Sequence, residues 1–407
     1  MNWFAVLVFL SNLIFPFTTQ PGLFGTQQAS PVVTDNGITV KFGETITFKA
    51  NVQPLAEVNE VLVMITPEGR PTVWQKMPLD QADAQGNLAL TVDARQISLF
   101  PFAKVQYYYE AGLKSGGSVK SSIESFEYDD TRFNWETLNS GIFQIHWYGG
   151  DPALGQEIAS IASQGVQQAQ TLLKADPPAP VRLYAYTSAS DLQTALQMTS
   201  QPWVSGHASP ELGIILVSIP AGPEKTLELE RQIPHEIMHL IQYQVMGSSY
   251  TQQPVWLVEG MASLAELYPN PEYSRVLDTT AKNQQLLPFS SLCTSFPREA
   301  NGAFQAYAQS ESFVRFIQRK YGLSGLRNLM AQYQNGMGCE EGVSAALGVS
   351  LNQLEYRWQQ EALGVNVSGL VLSNLSPYLI LGFLLLASGA LVLIPRHTAK
   401  PHPSPTE

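Results

Sequence analysis

The chain has 407 residues, of which 14% are charged, and its 34 acidic residues against 23 basic ones give a formal net charge of −11. This length allows two domains together with membrane segments. The charged fraction is low for a soluble globular protein. The acidic balance and the lack of a basic cluster with interleaved aromatic residues argue against nucleic acid as a partner.

Residues 1–29 contain an apolar segment, Trp3 to Phe15, that is typical of a signal peptide. Neither Lys nor Arg precedes it, and Ala29-Ser30 is a poor cleavage site, so an uncleaved signal anchor is the alternative. Both alternatives place residues 31–370 outside the cytoplasm.

Residues 31–130 predict an Ig-like β-sandwich. Ile38, Val40 and Phe42 alternate with polar residues, which is the period of a half-buried strand. Turn signals such as Gln85-Gly86-Asn87 separate roughly seven short segments of this kind. The region holds neither a cysteine pair nor a titratable cluster, so we expect it to act as a spacer more than as a substrate-docking domain.

Strands and helices alternate in residues 134–363, which predicts an α+β domain. Strands are expected at Phe143–Tyr148, Val181–Tyr186 and Gly213–Ile219, and a helix is expected at Leu154–Lys174. A further helix should run from Thr226 and kink or restart at Pro234, because proline removes a backbone donor inside a helix. Two more helices are expected at 303–321 and 351–363.

The motif His235-Glu236-Ile237-Met238-His239 is the most informative feature of this domain. Residues four apart on an α-helix lie about 40° from each other, so both imidazoles can reach one metal ion. Glu236 points about 100° away and is placed to act as a general base on a nearby water molecule. The alternative is an amphipathic helix whose histidines hydrogen-bond to their neighbours.

A second segment, Trp256-Leu257-Val258-Glu259-Gly260-Met261-Ala262, favours the metal site. Glu259 follows His239 by 20 residues, which is enough for one helix to end near Gly247 and another to begin near Pro254. A carboxylate from the second helix would complete a donor set of two imidazoles and one carboxylate, which suits Zn²⁺.

The two segments together resemble the gluzincin metallopeptidases, in particular the peptidase MA-like group related to the M1 peptidases. The resemblance extends from about Phe143 to Leu363 and implies a thermolysin-like fold. It implies that His235, His239 and Glu259 bind one zinc ion and that Glu236 is the catalytic carboxylate. It also implies that Tyr307, in the segment Ala306–Val314, stabilises the tetrahedral intermediate through its hydroxyl, although a buried core tyrosine is the alternative.

The chain also departs from this family. The M1 motif of the form GxMEN, which binds the free amine of the substrate, is absent from Gly206–Val217, so an endopeptidase is as consistent with the sequence as an aminopeptidase. Ser263 stands where other gluzincins have an aspartate that orients a ligand histidine, and Glu266 is a possible substitute. We expect His207 to be an ordinary loop residue, with a contact to the substrate as the alternative, and His146 to lie at the domain seam.

The two cysteines, Cys293 and Cys339, both lie in the peptidase region. An extracytoplasmic location permits a disulfide between them, which would stabilise the fold by roughly 4 kcal/mol. Two buried thiols are the alternative.

Residues 377–395 carry no charge and predict a transmembrane helix about 28 Å long. Arg396, His397 and Lys400 follow this segment, so residues 396–407 should form a cytoplasmic tail. The sequence thus predicts a single-pass cell-membrane protein with a large extracytoplasmic domain.

The function that fits these patterns is that of a membrane-anchored zinc metallopeptidase acting on a peptide or protein substrate. One alternative is a surface protein that binds partners on a non-catalytic metallopeptidase scaffold. Another is a zinc hydrolase that cleaves a bond other than a peptide bond.

Overall fold

The computed structural model describes residues 31–149, 151–197, 205–219 and 222–365, together with Tyr378, Ile380 and Leu381. The predicted signal segment at 1–29 lies outside the described residues, as do the span at 377–395, apart from those three positions, and the tail at 396–407. Within the part of the chain that the structure describes, no helix combines the length and apolarity needed to cross a bilayer.

The first part of the chain is β-rich, as the alternating pattern predicts. Its elements are β1 (Val32–Lys41), β2 (Thr45–Gln53), β3 (Val58–Pro67), β4 (Val73–Lys76), β5 (Asn87–Asp93), α1 (Ala94–Ile97), β6 (Lys104–Leu113), β7 (Ser118–Lys120) and β8 (Glu124–Glu127). One sheet has the order β1-β2-β5, and the other has the order β4-β3-β6-β7 with β8 also paired to β6. Inward-facing residues of the two sheets, such as Phe48 and Tyr109, share one core, so the sheets form a sandwich.

The second part joins a small sheet to an α-rich lower half. Its elements are β9 (Glu136–Ser140), β10 (Phe143–Trp147), α2 (Ala153–Leu173), β11 (Val181–Tyr186), α3 (Ala189–Ala195), β12 (Gly206–Ser209), β13 (Ile214–Ser218), α4 (Lys225–Met246), α5 (Val255–Ala265), α6 (Glu272–Lys282), α7 (Ala300–Gln334), α8 (Cys339–Leu347) and α9 (Leu351–Glu361). The strand order is β12-β13-β11-β10-β9, with both outer strands antiparallel to their neighbours. Strand β12 is therefore an edge of the sheet.

Both faces of this sheet are buried, and successive side chains of a strand go to opposite faces. On β11, Leu183 and Ala185 pack with the helices, whereas Tyr184 and Tyr186 pack into the core of the sandwich. A strand covered on both sides has no polar face, which explains the nearly continuous apolar runs of β11 and β13. The sandwich thus shares a core with the sheet of the second domain, and its role as a spacer stays a prediction.

Aromatic rings and one buried ion pair fill the seam between the two parts. The ring of Phe102 stacks on that of Tyr184 at a centroid distance of 3.5 Å. Asp130 is fully buried, where it pairs with Arg132 at 2.6 Å and accepts a hydrogen bond from the Tyr186 hydroxyl at 3.1 Å. Removing either partner of Asp130 would leave a buried charge uncompensated, which is strongly destabilising.

Helix α4 is continuous from Lys225 to Met246, with Pro234 inside it, so it does not restart at the proline. Pro234 lies against Gly165 of α2, where a Cβ atom would come within 3.1 Å of the proline ring. Helix α7 is longer than predicted and is interrupted only at Gly322, which has a φ of 68°.

Cys293 and Cys339 form a disulfide that closes a sequence separation of 46 residues. The carbonyl of Cys293 also accepts the Val255 N–H at 3.0 Å, at the first residue of α5. The bridge therefore ties the start of α5 to α8.

Replacing both cysteines by serine should lower the free energy of unfolding by about 4 kcal/mol, because the unfolded chain regains the entropy of a long open loop. Chemical denaturation of the two proteins measures this difference. Reducing agent should lower the free energy of unfolding of the wild type by the same amount and should leave that of the double variant unchanged. Equal denaturation midpoints without reductant would contradict the prediction.

Candidate metal centre

Helices α4 and α5 bring three potential metal ligands to one point. The Nε2 atoms of His235 and His239 lie 3.2 Å and 3.7 Å from Oε2 of Glu259. One donor atom from each residue lies within 4.8 Å of the other two, and this is the one such cluster of three or more ligand side chains among the described residues. The i, i+4 spacing on α4 and the return of α5 beside it produce this convergence.

The outer nitrogen of each imidazole has its own partner. Nδ1 of His235 lies 3.1 Å from Oε1 of Glu266, and Nδ1 of His239 lies 3.1 Å from the Tyr250 hydroxyl oxygen. These contacts leave both Nε2 atoms facing Glu259, which is the orientation that a metal ligand requires. The donor set and its supporting contacts therefore fit a zinc ion.

Glu266, and not Ser263, orients His235. Helix α5 ends at Ala265, and Glu266 is the capping residue with an extended ψ of 134°. The carboxylate therefore reaches His235 from the end of the helix. The Ser263 hydroxyl is buried and has no hydrogen-bond partner within the described ranges.

Glu236 lies at the boundary between α4 and the edge strand β12. Its side chain is buried, and the backbone N–H of Ala208 donates to its carboxylate. A Cβ atom on Gly206 would lie 2.5 Å from Oε1 of Glu236, so this position of β12 accommodates only glycine without displacing the carboxylate. Burial, together with the nearby Glu259 carboxylate, raises the pKa of Glu236 to about 7.

Burial and mutual contacts also shift the pKa values of the ligand side chains. Burial lowers the pKa of His239 to about 4, so its imidazole is neutral at pH 7. Burial alone would raise the pKa of Glu259, but the two histidines outweigh it and lower that pKa, so the carboxylate stays ionised. His235 differs: burial alone would lower its pKa, but the hydrogen bonds to Glu259 and Glu266 raise that pKa well above its usual value, so this imidazole must release a proton when a metal ion binds.

Tyr307 of α7 lies at the same site. Its ring centroid is 6.2 Å from that of His235, and it forms a side-chain hydrogen bond with Glu259. Burial raises its pKa well above the usual value, so the hydroxyl keeps its proton. Helix α7 reaches this position because Gly260 of α5 leaves room for the Ser310 carbonyl, 2.5 Å from where a Cβ would stand.

A cavity of about 620 Å³ opens beside these groups. Its walls come from β12, from α4, from the segment that follows α5, and from α7. His235, Glu236 and Tyr307 all line it. An extended chain lying along β12 would therefore pass directly over the predicted catalytic carboxylate.

The other two described histidines differ in their surroundings. His207 was expected in a loop, but it lies on β12, contacts the ring of Phe100 at 5.8 Å and borders the cavity. His146 lies at the seam as predicted, stacked on Tyr184 at 4.4 Å. The strand predicted at Gly213–Ile219 corresponds to β13, which is interior to the sheet, whereas β12 forms the edge beside the cavity.

Sequence reasoning missed two functional neighbours of the site. Tyr250 follows α4 in a short 3₁₀ segment, Gly247–Gln252, and nothing in its spacing distinguishes it from the other tyrosines. The close approach of Gly206 to Glu236 depends on how β12 packs against α4, although a glycine in a strand often marks the close approach of another group.

The chain thus combines a His-Glu-x-x-His sequence on α4 with a downstream glutamate on α5. The sequence profile of the Peptidase MA superfamily matches residues 161–364, which is half of the chain. The chain belongs to the Peptidase MA superfamily. Comparison with curated proteins gives no match.

Solved structures of similar proteins include members of the M1 group. An aminopeptidase N family protein from Idiomarina loihiensis is 10% identical, with 81% of this chain and 76% of that chain covered and a TM-score of 0.39. An M1 zinc metallopeptidase from Deinococcus radiodurans is 14% identical, with 81% and 92% covered and a TM-score of 0.38. Both TM-scores are low, and neither likeness carries an inference about this chain.

Proposed function

We propose that this protein is a zinc metallopeptidase that hydrolyses peptide bonds. The observation that carries the proposal is the convergence of His235, His239 and Glu259, with each imidazole oriented by a partner, in a chain of the Peptidase MA superfamily. Two imidazoles and one carboxylate would hold the ion with three protein ligands, the number that catalytic zinc sites use.

The protein holds one zinc ion through His235, His239 and Glu259. When bound there, zinc supplies Lewis acidity to the carbonyl of the scissile bond and to a water molecule. Glu266 keeps the imidazole of His235 turned towards that ion, through the 3.1 Å contact between its carboxylate and Nδ1.

Glu236 is the general base in this proposal. Its carboxylate accepts a proton from the attacking water and passes that proton to the leaving amine. A pKa of about 7 in the metal-free site suits a group that must both accept and release a proton near neutral pH. Tyr307 keeps its hydroxyl proton and donates a hydrogen bond to the oxyanion that develops on the scissile carbonyl.

Strand β12 provides the binding surface for the substrate backbone. Its register leaves one edge paired with β13 and the other facing α4 across the cavity. An extended peptide can add to such an edge through main-chain hydrogen bonds. This mode of binding needs no free amine on the substrate. In addition, β12 has the sequence Gly-His-Ala-Ser at the place where the aminopeptidases have their acidic motif. The proposal therefore favours an endopeptidase.

The proposal includes a location outside the cytoplasm, with the chain anchored by residues 377–395. The disulfide between Cys293 and Cys339 supports an oxidising compartment. The uncharged segment and the basic residues that follow it support the anchor.

The test is the zinc content of the purified full-length protein. Wild type should carry one zinc ion per chain, and His239→Ala should lose it, because removing one of three ligands abolishes a site that depends on all of them. His146→Gln is the matched control, since this histidine hydrogen-bonds to Thr137 and belongs to the seam.

Zinc binding without cleavage of any member of a peptide library would indicate a binding scaffold or a hydrolase with another substrate. Wild-type protein that binds zinc no better than His239→Ala would overturn the proposed metal centre.

A further inference from the structure

The two imidazoles of the candidate metal centre are supported by groups of different chemistry. His235 is paired with a carboxylate, that of Glu266, whereas His239 is paired with a phenol, that of Tyr250, at the same 3.1 Å distance. Tyr250 comes from the 3₁₀ segment that directly follows α4, 11 positions after the histidine that it contacts.

When His239 binds a metal, the geometry determines which atom donates the hydrogen bond between His239 and Tyr250. A neutral imidazole has one N–H and one lone pair. Nε2 of His239 faces Glu259. To bind a metal between them, Nε2 must offer its lone pair to that metal, so Nδ1 carries the proton. Nδ1 then donates to the Tyr250 oxygen, and this contact prevents the ring from turning or changing tautomer.

Contacts other than the hydrogen bond to His239 also hold Tyr250 in place. Its ring packs against that of Tyr243 at 5.9 Å, and its backbone carbonyl accepts the Gln253 N–H at 3.3 Å. These contacts hold the residue without any help from the hydroxyl.

We propose that Tyr250 is a positioning residue of the metal centre, which holds the His239 imidazole with Nε2 turned towards Glu259. The proposal rests on the proposed zinc site. The hydroxyl acts through His239 and not on the substrate. Its removal should therefore weaken metal binding first and affect turnover only as a consequence.

The test is Tyr250→Phe in the full-length protein, which removes one oxygen atom and keeps the ring. Zinc affinity, measured by competition with a chromophoric chelator, should fall about 10- to 100-fold, as for other outer partners of metal-ligating histidines. The visible absorption spectrum of the Co²⁺-substituted protein should also shift, because a reoriented His239 changes the ligand field. A purely structural role would leave that spectrum unchanged.

Tyr243→Phe is the matched control, because its ring neighbours Tyr250 and its hydroxyl makes no hydrogen bond to either histidine among the described residues. This control should keep both the zinc affinity and the Co²⁺ spectrum of the wild type. Far-ultraviolet circular dichroism of metal-free Tyr250→Phe should match that of the wild type, which separates the effect from misfolding.

Two failures are distinguishable. If wild type binds zinc stoichiometrically and Tyr250→Phe matches it in affinity and in Co²⁺ spectrum, the role of Tyr250 is wrong and the metal centre stands. If wild type itself binds no zinc, the proposed function fails and this inference fails with it.

Discussion

Glu236→Gln should reduce peptide hydrolysis by about 10²- to 10⁴-fold while leaving one zinc ion bound, because the amide cannot accept the proton of the attacking water. The substitution keeps the shape of the side chain, and Glu236 is not among the three converging ligand residues. Its carboxylate lies beside β12, where the Ala208 N–H donates to it. The variant therefore separates proton transfer from metal binding.

The measurement is kcat on a cleaved peptide, together with zinc content. Glu230→Gln is the matched control, since this residue lies on the same helix and does not line the cavity. Its kcat should equal that of wild type. A Glu236→Gln enzyme that retains wild-type turnover would refute the assignment of the general base.

Removing the sandwich, residues 31–130, should abolish folding of the peptidase part. Tyr186, Ile214 and Leu216 lie on the face of the peptidase sheet that the sandwich covers, and they are completely buried in the shared core. Each large apolar side chain exposed in this way costs about 1.5–3 kcal/mol. Together with Tyr148, Tyr184 and Leu192, which share the same core, the loss is on the order of 10 kcal/mol, as large as the whole stability of a typical domain.

A fragment of residues 134–365 should therefore show no cooperative thermal unfolding and should bind a dye specific for exposed apolar surface. The matched protein is residues 31–365, which keeps both faces of the sheet covered and should unfold cooperatively. A fragment that melts in one sharp transition and binds zinc would show that the sandwich is dispensable.

The local features of the metal centre could be predicted from the sequence, because they depend on helical spacing. His235 and His239 lie one turn apart on any helix, and the stop at Gly247 and start at Pro254 place Glu259 on the next helix. The β-rich first part was also predictable, because period-two alternation of apolar residues is a local signal.

Features that depend on how elements pack could not be read from spacing. Tyr250 reaches His239 only because the 3₁₀ segment folds back over the end of α4. Glu266 orients His235 from a helix cap, which requires α5 to end one residue earlier. In the sequence, β11 and β13 have the pattern of ordinary buried strands. Only the tertiary structure shows that the sandwich covers one face of this pair.

The two-sided burial of the small sheet has a consequence for biosynthesis. The segment that covers its outer face precedes it in the chain, so it leaves the ribosome first and can fold while the catalytic half is still being made. Strands β11 and β13 then emerge next to a finished surface that can cover Tyr184, Tyr186, Ile214 and Leu216. A rearranged gene that moved residues 31–130 to the C-terminal end would leave that aromatic face uncovered during translation, and chaperone demand should rise accordingly.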